Sequence, residues 1–311
     1  MPVRRRRDIW DVAIVGGGIA GLVGALQASA RGLSTVLVEA ALPGGLVATV
    51  NVLEDWPSAA PESGAGLAAR LAVQARLEDV SIIESRVDAL LALGAGDARF
   101  ELQLPGRRLR ARSVLCASGA RLAPLGLPGE ERFHGRGWSQ CAWCDGTFFR
   151  DHDVVVVGGG DSALQQALVL APLVRSVTVA VRGQLRARHA RIERASGQPN
   201  LRFAWNTVVR GLVGVDALEA VQLEQIDDGT RTELPCSGLF PFVGLLPATG
   251  WLPDTVMRDE RGHVATDRDG RSSLPGLHAV GAARSGGSGD LVGAAGDAAG
   301  AIAALAQELQ R

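Results

Sequence analysis

Two cysteines three residues apart, Cys141 and Cys144, stand out as a possible reactive pair. The sequence reads Cys141-Ala-Trp-Cys144 and continues at once with Asp145. Two thiols at this spacing can close a small disulfide, and a carboxylate beside them can move the proton that thiolate chemistry requires. A zinc site is the rival interpretation, but no second pair of Cys or His at ligand spacing accompanies this one. The pattern predicts a redox-active disulfide and no metal.

The other two cysteines predict a different role. Cys116 and Cys236 stand alone in apolar, strand-like surroundings, which is typical of buried structural thiols. Four cysteines in 311 residues are too few for a disulfide scaffold.

A glycine turn between two apolar runs predicts a dinucleotide site near the start of the chain. The run Asp11–Val15 leads into Gly16-Gly-Gly-Ile-Ala-Gly21, a helical stretch follows to about Ala30, and a second apolar run, Ser34–Val38, ends at Glu39. Strand, glycine turn, helix and strand closed by an acid form the dinucleotide fingerprint.

Each position of this turn has a physical reason. Gly16 permits the tight turn, Gly18 lets the backbone approach a pyrophosphate, and Gly21 lets the helix pack closely on the strand. The first N–H groups of the helix then face the phosphates, and Glu39 can accept a hydrogen bond from a ribose hydroxyl.

A second copy of the pattern begins at Asp153–Val157. It continues with Gly158-Gly-Gly-Asp-Ser-Ala163, a helix to about Leu170 and the strand Ser176–Ala180. No acid closes this strand. Arginines follow it instead, which suits a 2′-phosphate better than a free ribose hydroxyl. A purely structural glycine turn is the alternative.

The composition excludes several classes of function. All 32 basic residues counted as Lys+Arg are Arg, so Schiff-base lysines and the Walker A lysine are absent. A net charge of -1 argues against a nucleic-acid binder. No apolar run reaches the roughly 18 residues that span a bilayer. We therefore expect a cytoplasmic protein that binds neither nucleic acid nor membrane.

The motifs together resemble the low-molecular-weight thioredoxin reductases over nearly the whole chain. The stretches that carry this resemblance are Gly16–Gly21, Glu39, Gly44-Gly45, Glu54–Pro57, Ala117–Gly119, Gly126–Glu131, Gly135–Gly137, Cys141–Gly146, Gly158–Ala163 and Leu274–Leu277.

The resemblance implies an α/β fold of two Rossmann-like nucleotide-binding domains, of the three-layer β/β/α type, with the second inserted in the first. Residues 1–122 and 248–311 would form an FAD-binding domain, and residues 123–247 would form an NADPH-binding domain that carries the redox pair. It also implies a homodimer.

The resemblance further implies roles for single residues. Cys144 would face the flavin, Cys141 would exchange with the substrate, and Asp145 would act as acid or base. The implied cofactor contacts for FAD are Gly16, Gly18, Ala20, Gly21, Glu39, Gly45, Leu46, Asp55, Ala117, Ser118, Gly119, Gly281, Ala282, Asp290, Leu291 and Val292. Those for NADPH are Gly158, Gly160, Ser162, Ala163, Arg182 and Arg186.

The NADPH side departs from the family. The family's His-Arg-Arg with a further Arg is here Val181-Arg182-Gly183 with Arg186, and two glutamates after the second turn are replaced by Gln165 and Gln166. Losing charge-assisted bonds of about 1.5–3 kcal/mol each would weaken NADPH binding by orders of magnitude.

The FAD side departs as well. An acid that binds the ribityl chain is here Ala282, and the Arg-Gln before the last helix is Gly289-Asp290. Leu46 stands for a Gln and Asp55 for an Asn. Asp290 at the start of a helix is either an ordinary N-cap or a charge that disfavours the reduced flavin.

Three functions follow from these features. The first is reduction of thioredoxin or a similar protein disulfide, with NADPH or another reductant as donor. The second is a dithiol oxidase that forms a disulfide in a small molecule or protein, uses no nicotinamide and passes electrons to oxygen. The third is a regulatory flavoprotein. Trp143, between the cysteines, either contacts a partner or packs against the adjoining domain.

Overall fold

The structure is a computed structural model that describes residues 9–57, 60–94 and 96–310. The chain divides into two compact units, Met1–Arg121 with Leu246–Arg311, and Leu122–Leu245. We call these the first unit and the inserted unit. The boundaries lie within two residues of those expected from the sequence.

The first unit is built on a sheet of seven strands. The strand bounds are β1 Trp10–Val15, β2 Thr35–Glu39, β3 Ser81–Glu84, β4 Ala89–Ala92, β5 Phe100–Leu104, β6 Arg107–Cys116 and β16 Leu277–Ala279. The strands run in the order β3-β2-β1-β6-β5-β4, with β16 paired to the end of β6. The strands β1, β2, β3, β6 and β16 are parallel, whereas β4, β5 and β6 form an antiparallel meander.

Three helices cover one face of this sheet: α1 Ile19–Ser29, α2 Gly64–Leu77 and α6 Leu291–Leu309. In α6 the buried residues Ala298, Ala301, Ile302 and Leu305 recur at helical spacing, so one stripe of the helix faces the core. Burying a side chain the size of Ile or Leu contributes about 1.5–3 kcal/mol. The other face packs against apolar residues from 251–283, such as Leu252 and Val264.

The inserted unit contains a parallel sheet in the order β10-β9-β8-β14 and an antiparallel sheet β11-β12-β13. Strands β7 and β15 pair with each other where the chain passes between the units. The bounds are β7 Ala120–Leu122, β8 Asp153–Val157, β9 Ser176–Val181, β10 Leu201–Trp205, β11 Thr207–Val213, β12 Ala220–Gln225, β13 Arg231–Pro235, β14 Gly238–Pro241, β15 Leu245–Pro247, α3 Ala142–Asp145, α4 Asp161–Leu170 and α5 His189–Ser196.

Within the described residues, none of the helices is both long and apolar enough to cross a membrane.

Glu130 organises the segment that leads from β7 toward the redox pair. Its carboxylate is buried and accepts hydrogen bonds from the backbone N–H groups of Leu125, Gly126 and Leu127 and from Nε1 of Trp138. A buried carboxylate needs such partners, and these four donors fix the loop. Glu130 belongs to the motif Gly126–Glu131, which thus has a structural basis.

His278 is a buried histidine of the first unit that lies close to a group of charged side chains. It is fully buried on β16, and neither ring nitrogen has a hydrogen-bond partner in the part of the chain that the structure describes. Nε2 lies 3.6 Å from Oε1 of Glu308, which is itself bonded to Arg271 at 2.6 Å. Asp267 and Asp269 also pair with Arg271. Burial lowers the pKa of His278 below 6.5, and Arg271 acts in the same direction, whereas the three carboxylates oppose the shift.

This histidine makes stability depend on pH. Because the pKa of His278 is lower in the folded state, the unfolded chain binds the proton more readily. The free energy of unfolding therefore has its full value above pH 6.5 and falls as the pH drops below that value. We expect His278→Leu to reduce the slope of the unfolding free energy between pH 7 and pH 5, by at most about 1.4 kcal/mol per pH unit. Urea unfolding at several pH values measures this slope. The exposed His189, changed to Gln, is the control, and equal slopes in His278→Leu and the parent would refute the assignment.

Candidate active site

The first glycine turn is a close contact of three backbone segments. Gly16 has a φ of 106°, and a Cβ built on it would lie 2.3 Å from the carbonyl oxygen of Ala117, which follows β6. A Cβ on Gly21 would lie 1.8 Å from the carbonyl oxygen of Gly16. Any larger residue would push α1 away from β1 and β6. The turn therefore has the geometry expected for both glycines.

Gly18 has the opposite surroundings. It precedes α1 with no side-chain cap, and the nearest atom to a Cβ on it would be the carbonyl oxygen of Gly44, at 4.0 Å. The N–H of Gly44 donates to the carbonyl of Gly17 at 2.8 Å, and Gly45 lies against Gly18. Space beside the N-terminus of a helix is where a pyrophosphate binds. This cradle fits the diphosphate of FAD.

Glu39 ends β2 beside the same turn. Its carboxylate accepts hydrogen bonds from the backbone N–H groups of Gly17 and of Ala41, the latter at 2.9 Å. An acid in this place can instead bind the ribose hydroxyls of the adenosine half of the cofactor.

The segment before α6 lies against the start of α1, beside the first glycine turn. A Cβ on Gly281 would lie 3.3 Å from Cβ of Ala20, and its N–H donates to Oδ2 of Asp297 at 3.2 Å. Asp297 also pairs with Arg284 at 2.8 Å. The pair fixes the backbone of Gly281 at the start of α1, where the resemblance places Ala20 and Gly281 together, whereas the role of Asp297 was not evident from the sequence.

Asp290 is the N-cap of α6. Its Oδ1 accepts a hydrogen bond from the N–H of Gly293 at 2.7 Å. The structure thus supports the capping role that the sequence left open.

The remaining expected flavin contacts differ in their surroundings. Ser118 donates to the carbonyl of Ala248 at 2.8 Å and accepts from Nε1 of Trp251 at 3.3 Å, so its hydroxyl is already engaged. Leu46, Asp55 and Val292 are exposed, whereas Gly119, Ala282 and Leu291 are half-buried.

In the inserted unit, Cys141 and Cys144 form a disulfide with a Cα–Cα distance of 5.3 Å. Cys141 is half-buried and Cys144 is exposed. The N–H of Cys144 points at Sγ of Cys141, 3.1 Å away, which would stabilise a thiolate there. Ser139, which the sequence did not single out, accepts from the N–H of Cys141 at 3.0 Å and donates to Oδ2 of Asp145 at 2.6 Å. The turn thus contains a disulfide and a carboxylate linked by one hydroxyl.

The two remaining cysteines are unreactive. Both are buried, as expected from the sequence. Burial raises the pKa of the Cys236 thiol to about 12, and it raises the pKa of the Cys116 thiol as well. Neither competes with the disulfide pair, because the thiolate is the nucleophile.

The second glycine turn repeats the geometry of the first. A Cβ on Gly158, whose φ is 135°, would lie 2.4 Å from the carbonyl oxygen of Phe242, whereas a Cβ on Gly160 would meet nothing within 4 Å. The open space again lies beside the N-terminus of a helix, here α4. Ala163 is buried beneath the turn and Ser162 is exposed on it.

The basic side chains near this turn fall into two groups. Asp161, in the first turn of α4, pairs with Arg191 at 2.6 Å and with Arg188 at 3.7 Å. Arg182 and Arg186 are exposed and make no ion pair within the described residues. The second group can bind a 2′-phosphate. The donors present therefore fit NADPH, with two arginines for the phosphate.

Comparisons with known proteins agree with this geometry. Residues 10–299 match the family model "Pyridine nucleotide-disulphide oxidoreductase". The chain is 38% identical over 277 residues to the thioredoxin reductase of Treponema pallidum, covering 88% of this chain and 89% of that protein. It is 33% identical over 292 residues to the thioredoxin reductase of Listeria innocua, covering 93% of this chain and 90% of that protein.

Solved structures give the same result. The crystal structure of Lactococcus lactis thioredoxin reductase superposes with a TM-score of 0.93 at 31% identity, covering 97% of this chain and 99% of that chain. Thioredoxin reductase of T. acidophilum gives a TM-score of 0.92 at 28% identity, covering 98% and 100%. The α/β fold with two Rossmann-like domains is confirmed. The chain belongs to the pyridine nucleotide-disulphide oxidoreductase family and is an FAD-dependent thiol-disulfide oxidoreductase of the thioredoxin reductase type.

Proposed function

We propose that this enzyme reduces the disulfide of a thioredoxin-like protein. The observation that carries the proposal is an exposed apolar surface around the redox pair. Trp143, between the cysteines, is 61% exposed, and Phe148, just after Asp145, is 78% exposed. Large exposed aromatic side chains are typical of sites that bind another protein, whereas a small dithiol needs no such surface.

The chemistry on the protein side is thiol-disulfide exchange. The Cys141 thiolate attacks one sulfur of the substrate disulfide, forms a mixed disulfide and releases the other substrate sulfur as a thiolate, which takes a proton. Cys144, whose proton passes to Asp145, then attacks Sγ of Cys141. The Cys141–Cys144 disulfide forms again and the second substrate sulfur leaves as a thiolate, which takes the proton from Asp145, so two electrons and two protons have moved to the substrate.

FAD, when bound, supplies the two electrons that reduce the disulfide again. Gly18 and the first N–H groups of α1 would bind its pyrophosphate, and Glu39 its ribose, while Gly16 and Gly21 would keep the turn tight enough for that contact. The hydrogen bond from the Cys144 N–H supports Cys141 as the exchanging thiolate.

We further propose NADPH as the electron donor, bound at Gly158–Ala163 with Arg182 and Arg186 on its 2′-phosphate. Exposure of these two arginines supports this assignment, and their small number implies weak binding. Replacing both by Ala should raise the KM for NADPH about 100-fold or more, since two charge-assisted hydrogen bonds are lost and each contributes about 1.5–3 kcal/mol. The KM for NADH, which lacks the 2′-phosphate, should hardly change.

An anaerobic titration of the holoenzyme tests the proposal. Loss of the visible flavin absorbance on addition of NADPH, followed by reduction of an added bacterial thioredoxin, is the expected result. Bleaching by dithiols alone, with hydrogen peroxide formed once air is admitted, would contradict the reductase assignment and support the dithiol oxidase. If neither donor reduces the flavin, both assignments fail.

Asp290 gives a prediction about the flavin itself. A carboxylate at the N-terminus of α6 offsets the positive end of the helix dipole. We expect Asp290→Asn, which keeps the cap, to raise the midpoint potential of the bound flavin by roughly 20 mV, the two-electron equivalent of about 1 kcal/mol. Equilibration with a reference dye measures it. An unchanged or lower potential in the variant would mean that Asp290 acts only as a cap.

A further inference from the structure

Gln166 is a buried polar side chain of the inserted unit for which the proposed chemistry has no role. It lies on α4 and is 5% exposed. Its neighbours on the same helix face, Ala163, Ala167 and Leu170, belong to an apolar core. A carboxamide in such surroundings lowers stability unless it is hydrogen-bonded. Its bonding partner therefore indicates why it is there.

That partner is the first amide of the redox helix. Oε1 of Gln166 accepts a hydrogen bond from the N–H of Ala142 at 2.7 Å. Ala142 is fully buried and lies directly after Cys141, at the first position of α3. Without Gln166 this N–H would lose its acceptor inside an apolar core.

Two successive amides of the disulfide turn are thus held by side-chain oxygens. Ser139 accepts a hydrogen bond from the N–H of Cys141, and Gln166 accepts one from the N–H of Ala142. Ser139 is two residues away in sequence and belongs to the turn itself. Gln166 comes from another helix, so it alone of these two fixes the turn to the body of the inserted unit.

The neutrality of this acceptor has a consequence for the reduced pair. On reduction, negative charge develops on the sulfurs, and Sγ of Cys141 already accepts from the N–H of Cys144. The glutamate that the family has at position 166 could accept the same bond from Ala142, but it would place a negative charge one residue from Cys141 in a medium of low dielectric and would repel a thiolate there. A carboxamide holds the turn without that repulsion.

We propose that Gln166 is a positioning residue for the Cys141–Cys144 pair, which holds the turn in place and adds no negative charge beside the thiolates. This role concerns the disulfide alone. It is independent of the electron donor and of the partner protein, so it can fail without affecting the proposed function.

The charge part is tested by Gln166→Glu, with Gln165→Glu as the matched control. Gln165 is the neighbouring residue, so the control adds the same charge one position away from the Ala142 contact. The holoenzyme is reduced with dithiothreitol, freed of reagent and alkylated with iodoacetamide from pH 5 to pH 10, with the sites identified by mass spectrometry. Asp145, the other ionisable group of the turn, is the same in each variant.

We expect the alkylation profile of Gln166→Glu to move upward by about one pH unit, a roughly tenfold slower reaction at neutral pH. Gln165→Glu should keep the parent profile. A Gln166→Glu profile equal to that of the parent, or an equal shift in both variants, would overturn the proposal.

The positioning part is tested by Gln166→Met, which removes the acceptor and adds no charge. A loosened turn brings the two thiols together less often, so the disulfide should become several-fold easier to reduce in equilibrium with dithiothreitol. In Gln166→Glu it should become harder to reduce at pH 9, where thiolates are populated. A merely structural residue would lower the unfolding temperature in both variants and leave these equilibria unchanged. Should Gln166→Glu not fold, an unchanged equilibrium in Gln166→Met refutes the proposal by itself.

Discussion

Cys144→Ser is expected to abolish turnover while leaving FAD bound. The variant can still form a mixed disulfide through Cys141, but no second thiol remains to release the product or to receive electrons as a disulfide. We expect thioredoxin reduction to fall by at least about 10³-fold, the usual scale for loss of a nucleophile. Steady-state turnover and the visible flavin spectrum are the two measurements.

Cys236→Ala is the matched control for this prediction. It removes a thiol that is buried and whose pKa burial raises to about 12, so turnover should persist. Thioredoxin reduction by Cys144→Ser at the parental rate would remove the disulfide from the reaction path. Loss of bound flavin would show instead that the substitution disturbs more than the redox pair.

The second large effect is expected from the exposed aromatic side chains beside the disulfide. Removing both rings in the double variant Trp143→Ala, Phe148→Ala should lower kcat/KM for a thioredoxin about 30-fold or more, since truncation of an aromatic anchor typically costs 2 kcal/mol or more. The rate with a small aromatic disulfide should change little, because such a substrate does not need the surface around the pair.

Trp205→Ala provides the comparison for that experiment. Trp205 belongs to the same unit and is 47% exposed, but it lies on β10, outside the redox turn. Its loss should leave both substrates unaffected. Equal losses with the protein and the small disulfide in the double variant would indicate damage to the disulfide turn rather than to a docking surface.

Much of the fold could be predicted because local geometry dictates it. At Gly16 and Gly158 a Cβ would collide with a neighbouring carbonyl oxygen, so only glycine fits there. The glycine turns therefore identify the two strand-to-helix connections in the sequence. The expected last helix from Leu291 is α6, with Asp290 as its cap. The antiparallel sheet β11-β12-β13 was not predicted, because its short strands carry no motif and depend on pairing between distant residues.

The sequence by itself determined the chemistry of this protein. A Cys-x-x-Cys pair followed by an acid and two glycine turns specify a disulfide and nucleotide sites, since few other residue types can perform those tasks. Only the tertiary structure decided how the redox turn is held. Gln166, 24 residues after Ala142, accepts a hydrogen bond from its N–H group. Asp297, 16 residues after Gly281, does the same for the N–H group of Gly281. Such contacts depend on how helices pack, and no spacing of residues along the chain encodes them.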